Sequence, residues 1–462
     1  MSHPEVSWLP GEPAPGRPAY RALADALARD IAAGRLRAGD RLPTQRALAR
    51  ALGVTVGTIA RAYTEAESRG LISSEVGRGT FVRTGFGLAG AEHGAVDLAS
   101  LHPPVSPGVE PAALLGAALA GLADDPVALL AVATTERSHD SPAHTEAAAA
   151  WVSHAGWQPE PGRVLLTSGA QHALTVTLLA LAGAGGTVAT TPLTNPGLIA
   201  AARRLSVPLV AVESDGHGML PDALARACTA GPVALVHLQP TLANPTGRTM
   251  PADRREALAA VCERAGVWVL EDDPLGPLAD TRPAPLAALL PGRTCHVAST
   301  AKVLTPGLRI GVLAAPREAH AELASAVRAT TWLAPPLLGD ILARWVRSGT
   351  AGVLTAARAE ATRRRNTLAR ELLGGLGVDP DPSAPHLWLP LPEPWSAGQF
   401  AAAAREAGVL VSPGDEYTPS RTRSAFGVRV ALNAGVDDET LRASLTTLRR
   451  LTTTTPPPEP LG

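Results

Sequence analysis

Lys302 is the single lysine of this 462-residue chain, in which Lys and Arg together number 41. Wherever a plain positive charge serves, the chain carries arginine. Lysine is therefore kept where a guanidinium cannot substitute. The task that fits is covalent: a primary amine condenses with an aldehyde to a Schiff base, and a guanidinium does not. A leftover surface lysine would give the same count, so the neighbouring residues decide. Polar residues recur at the ends of apolar runs: Ser168 after RVLLT, Asn244 after VALVHLQPTLA, Asp272 in VWVLEDD, and Ser299 in CHVAST, three residues before Lys302.

Elements must bring these residues together. From Val96 onward, short apolar runs alternate with Ala- and Leu-rich helical stretches: RVLLTSG, TVATTP, VPLVAV, VALVHLQP, VWVLEDD, CHVAST and IGVLAAP. That alternation predicts a mostly parallel sheet covered by helices. Ligands sit at the carboxyl ends of such strands, which is where Ser168, Asn244, Asp272, Ser299 and Lys302 fall. The most apolar stretch, Ala173 to Ala189, is broken by Gly183, Gly185 and Gly186. It reads as helix, turn and strand, with no membrane span.

The first part of the chain differs. Residues 20–33 carry apolar positions at helical spacing and Gly34 stops them. Thr44 caps a second helix ended by Gly53, and Thr55 caps a third ended by Gly70. ISSEVGRGTFV then supplies two strand-like arms around a Gly-Arg-Gly tip. Three helices and a hairpin make a winged helix-turn-helix pattern over residues 17–83. From Arg17 to Arg83 there are 12 Arg against six Asp or Glu, although the whole chain has net charge −1. A basic head on an acidic body points to a polyanion partner. Residues 84–95 are Gly-rich and suit a linker. The tail from 452 to 462 is expected to be disordered. Cys228, Cys262 and Cys295 lack metal-ligand spacing and read as reduced core residues of a cytoplasmic protein, with no metal site.

HLQPTLANPTG, VWVLEDD and STAKVLTPGLRIG resemble the motifs of fold-type I aminotransferases, which bind pyridoxal 5'-phosphate (PLP). LRAGDRLPTQRALARALGVTVGTIARAY and the following GLISSEVGRGTFV resemble a GntR-type winged helix. Head plus body, from about Pro18 to Leu451, resembles the MocR-type regulators. The resemblance implies an α+β winged helix joined to an α/β body, 96–451, with a large, mostly parallel-sheet domain and a small α+β domain. It implies an aldimine between PLP and Lys302, with Asp272 pairing the pyridine nitrogen so that the ring acts as an electron sink. Asn244 would donate to the phenolic oxygen. Gly169, Ala170 and Gln171, at a helix N-terminus, with Ser299 and Arg309, would hold the phosphate. Arg429 would grip the carboxylate of an amino compound. In the head, Thr55, Thr58 and Arg61 on the third helix, Arg46 on the second and Arg78 at the wing tip would meet double-stranded DNA.

The chain also departs from the pattern. Asn195 stands where the family places an aromatic residue over the ring, and it is counted with the cofactor-site residues. Pro274 and Leu275 occupy the positions of a tyrosine that donates to the phenolic oxygen. Ala301 replaces the serine before the lysine, and no partner-contributed tyrosine is visible in LLAVATTERSHDSPAHTEAAAAW. Val56 stands where the third helix usually carries arginine. Anchoring groups are kept while groups that tune the ring and guide protons are thinned. The resulting expectation is a homodimeric transcription regulator that binds an operator and senses a small amino compound, with little or no transaminase activity. The alternatives are an aminotransferase with an accessory DNA-binding head, and a regulator whose body only dimerises.

Overall fold

Threonines start both helices of the expected helix-turn-helix. Thr44 Oγ1 accepts from Ala47 N ahead of Gln45–Leu52, and Thr55 Oγ1 accepts from Thr58 N ahead of Val56–Ser68. Each satisfies a backbone N–H that has no partner inside its helix. Between them Gly53 closes the first helix at φ +66°, a left-handed conformation that glycine adopts without strain. The helix Ala19–Ala32 packs its apolar stripe (Leu23, Leu27) on Leu48, Ile59 and Tyr63. The antiparallel arms Ile72–Glu75 and Gly79–Val82 complete the winged helix. Arg41 bridges to Phe81, so the turn before the second helix lies along the wing. The Tyr63 hydroxyl donates to Pro43 O at 2.8 Å and pins the entry to that helix from inside the core.

The computed structural model describes residues 8–10, 18–32, 35–36, 40–69, 71–75, 79–82, 95–104, 110–134, 141–183, 185–419 and 426–455. Arg78 and most of the expected linker lie outside them. The chain divides into residues 1–90 and 91–462.

In the second unit all seven apolar runs become strands of one sheet. Their order is Val164–Thr167, Gly311–Ala314, Thr294–Ser299, Trp268–Asp272, Val233–Leu238, Thr187–Thr190 and Leu209–Ala211. All neighbours pair in parallel except Gly311–Ala314, which is antiparallel to both of its partners. The sheet is therefore mixed. The reversal has a positional effect: the amino end of that strand lies beside the carboxyl ends of the others, with Gly311 opposite both Ser299 and Thr167. The stretch Ala173 to Ala189 forms a helix continued by a π-helical turn, then a strand. No single described helix is long and apolar enough to cross a membrane.

A small α+β region follows. His386–Pro390, Gly427–Ala431 and Ser412–Pro413 form an antiparallel sheet, with Trp388 and Ser412 on either side of Arg429. The first described residues of the unit belong to this region. Val96–Asp97 pairs with Val409–Leu410, Leu98 is buried in the same core as Phe400 and Leu445, and Ala431 N donates to Leu98 O. The last helix, Asp438–Thr452, takes in Thr452, and Trp395 Nε1 donates to Thr454 O. Thr452 is buried while Thr453 to Thr455 are exposed, and 456–462 lie outside the described residues.

Candidate functional site

Ser299 ends a fully buried strand and caps the short helix Thr300–Val303, which carries Lys302. Thr300 exchanges hydrogen bonds with Ile310, fastening the lysine helix to the turn that carries Arg309. Lys302 Nζ donates to Leu101 O at 2.8 Å. Burial, followed by the nearby guanidinium groups of Arg429 and Arg309, pushes its ammonium down to about 8. A lysine in that range carries a substantial neutral fraction near physiological pH, which is the form that attacks an aldehyde.

Asp272 is buried at the carboxyl end of its strand. Its Oδ2 accepts from Gln239 Nε2 at 2.8 Å and from Asn195 Nδ2 at 3.1 Å. His237 Nε2 lies 3.5 Å from the same oxygen. The flanking acids are engaged elsewhere. Glu271 accepts from Leu286 N and Ala287 N, while Asp273 pairs with Arg282 at 2.5 Å. Strand alternation points Glu271 and Asp273 away from the face of Asp272. Asn195 does not lie free in the place of the missing aromatic: its Oδ1 caps the helix Pro196–Arg204 through Gly197 N, and its Nδ2 serves Asp272.

The chain turns from Thr167 through Ser168 and Gly169 into the helix Ala170–Thr177. Gly169 sits at φ +87°, and a Cβ there would come within 3.1 Å of Arg309 Nη2. The exposed Arg309 guanidinium therefore overlies the glycine at the helix start. The N–H groups of Ala170 and Gln171 have no acceptor within the helix, so backbone dipole and guanidinium converge on one place. The loop rests on Gly311, where a Cβ would come within 2.7 Å of Ala170 N. The Gln171 side chain turns away and donates to Gly197 O. These groups suit a phosphate, as the lysine suits an aldehyde.

Arg429 is buried in its strand, with its guanidinium 5.5 Å from the Tyr417 ring centre. Nη1 donates to Asn244 Oδ1 at 3.2 Å, Nη2 donates to Ala99 O, and Nε is buried without a partner. The bond from Arg429 fixes the Asn244 amide with its oxygen toward the arginine and its NH2 free to donate elsewhere. Segment 95–104 thus sends two carbonyls, Ala99 O and Leu101 O, to the two cations Arg429 and Lys302.

Gln239, His237, Tyr417 and the carbonyls of Ala99 and Leu101 were not among the sequence candidates. His237 left a signal, as a polar residue inside the core strand VALVHL that is buried in the fold. In place of the absent tyrosine, Leu275 is buried in an apolar cluster and can donate nothing.

In the head, Thr55 is exposed and its hydroxyl is occupied with the backbone of Thr58 and with Thr58 Oγ1. Arg46 and Arg61 are exposed on the second and third helices, and Val56 is 44% exposed at the start of the third.

Residues 19–82 match the bacterial regulatory proteins of the gntR family, and residues 131–448 match the class I and II aminotransferases. An HTH-type transcriptional regulator of Bacillus subtilis named YdeF, itself uncharacterized, is 31% identical over 464 residues, covering 96% of this chain and 97% of that protein. The vitamin B6 salvage pathway transcriptional repressor PtsJ of Salmonella typhimurium is 30% identical, covering 90% of this chain and 94% of its own. Among solved structures, the α-aminoadipate aminotransferase LysN of Thermus thermophilus, complexed with N-(5'-phosphopyridoxyl)-L-leucine, superposes with a TM-score of 0.70 at 22% identity, over 84% of this chain and 98% of that one. A reading head and an aminotransferase-like body in one polypeptide, matched almost end to end by other HTH-type regulators, place the chain in the MocR-type branch of the GntR family of transcription regulators.

Proposed function

We propose that this regulator holds PLP in its body through Lys302 and uses that site to sense a small amino compound. The observation that carries the reading is a half-buried amine of lowered pKa beside two cations, at the same sheet edge as Asp272, Asn244 and the loop at Gly169. Bound there, PLP supplies an electrophilic carbon and an electron-withdrawing ring. Asp272 would hold the ring nitrogen, Asn244 the phenolic oxygen, and Gly169, Ala170, Gln171, Ser299 and Arg309 the phosphate. The carboxylate of the effector would pair with Arg429.

Signalling follows from competition. Ala99 O and Leu101 O occupy the two cations that cofactor and effector need. A ligand that replaces them favours a different placement of segment 95–104, and only such differential binding shifts an equilibrium. Residues 84–94 lie between this segment and the head in the sequence, so a shift would be passed toward the operator-binding module. Arg46, Thr55, Thr58, Arg61 and Arg78 would contact the operator. A homodimer would present two heads to paired half-sites. Transamination is expected to be weak, because Leu275 cannot guide protons and Asn195 is committed to Asp272 and a helix cap.

Borohydride reduction of the protein with PLP, followed by peptide mass mapping, tests the cofactor assignment. A pyridoxyl group on Lys302, absent from Lys302→Arg, is expected. No adduct at millimolar PLP, with operator binding intact, would leave the body a dimerisation scaffold. Rapid turnover of an amino acid with a 2-oxo acid and no operator footprint would instead make it an aminotransferase.

A further inference from the structure

We infer that Gln239 is a positioning residue that sets Asp272 and Asn244 as one unit for the cofactor ring, an inference that rests on the PLP reading above. Leu238 pairs with Glu271 across two parallel strands, so the next residue on each, Gln239 and Asp272, emerge side by side at the sheet edge. The Gln239 amide uses both ends. Its Nε2 donates to Asp272 Oδ2 at 2.8 Å, and its Oε1 accepts from Asn244 N at 3.3 Å. A single side chain therefore spans the group proposed for the ring nitrogen and the group proposed for the phenolic oxygen. The run continues on both sides. Asn244 Oδ1 accepts from Arg429, and Asp272 Oδ2 also accepts from Asn195, whose own orientation is fixed by Gly197 N. The sequence of contacts Arg429, Asn244, Gln239, Asp272, Asn195 joins the proposed carboxylate clamp to the proposed ring-nitrogen partner.

The chemistry of these donors matters. Two neutral amides hold Oδ2 without bringing the positive charge that an arginine would. Among the described residues no donor is seen on Oδ1, so that oxygen would be left for the ring N–H while the other is already held. Asn195, at the place of the family's aromatic residue, has exchanged ring stacking for this hold on the carboxylate. A glutamine serving only to close the strand end would need neither contact.

The test is a PLP titration of the full-length protein followed by absorbance, with the pH midpoint of the visible band of the bound cofactor as second readout. Gln239→Met keeps the volume and removes both hydrogen bonds. It is expected to weaken PLP binding by roughly tenfold, the worth of one hydrogen bond to a charged group. It should also raise the midpoint, because a poorly held pyridinium withdraws fewer electrons. Asn195→Asp keeps the helix cap but turns a donor on Asp272 into a second acceptor, and should move both readouts in the same direction; it carries the test if Gln239→Met does not fold, judged by its thermal melt without PLP. Wild-type affinity and midpoint in a folded Gln239→Met, or in Asn195→Asp if that is the variant left, would overturn the inference while leaving the cofactor reading in place. A wild-type protein with no band and no adduct on Lys302 would remove both.

Discussion

If Lys302 is held as described, its amine should titrate near 8 instead of the ordinary 10.5. That difference corresponds to roughly 3 kcal/mol favouring the neutral form. At pH 7.5 roughly one amine in four would then be neutral, against about one in a thousand for a solvated lysine. Brief acylation by a water-soluble anhydride across pH 6 to 11 reads this directly, with the modified peptide quantified by mass spectrometry. Because the chain has one lysine, no other side-chain amine competes. Limited access lowers the amplitude of the curve but does not move its midpoint. Arg309→Gln removes one of the cations, on an exposed side chain that can be changed without unpacking a core, and should raise the midpoint. The linkage has a matching sign. Between about 8 and 10.5 the unfolded chain holds a proton that the folded lysine has released, so wild-type stability gains over that window relative to Lys302→Met. Below about 8 both states are protonated and the wild type carries the full cost of burying the charge. A midpoint near 10.5 in the wild type would refute the argument, as would a midpoint unmoved by Arg309→Gln.

Other outcomes follow from contacts already described. Thr55→Ala should destabilise the head by about 1 kcal/mol through loss of the cap, with Thr55→Ser restoring it, as read by thermal melting. Arg46→Ala, if Arg46 meets a phosphate, should flatten the log–log salt dependence of operator binding by about 0.9; an unchanged slope would make it a bystander. Gly311→Ala pushes a methyl group against the Gly169 loop from below and should cost about 1–3 kcal/mol of body stability, seen in denaturant unfolding, together with weaker PLP binding.

Much of the sheet was legible because strands buried on both faces read as unbroken apolar runs. All seven runs became strands, and Ser168, Asp272 and Ser299, at the carboxyl ends of three of them, came to the shared edge. The direction of Gly311–Ala314 was not legible, since an apolar run looks the same in either sense. Arg309 reaches the site because of that reversal, where a uniformly parallel sheet would have sent its turn to the opposite edge. The carbonyls of Ala99 and Leu101 were invisible for another reason: every residue has a carbonyl, and only tertiary placement makes two of them matter. Gln239 carried no spacing signal, as its partners Asp272 and Asn244 lie 33 and five residues away. Thr55 shows how one residue serves two readings, since the sequence signature of a helix cap and that of a groove contact coincide at the start of a recognition helix.

Segment 95–104 starts in the small region and ends against the core beneath the lysine, where Leu101 packs. Val96 is paired with Val409, and Leu98 is sunk in the core beside the strand of Arg429. The rope leading to the head is thus tied to the jaw that would close on a carboxylate. If effector binding moved that jaw, residue 95 would move with it, and the pull on the chain toward the head would be the signal.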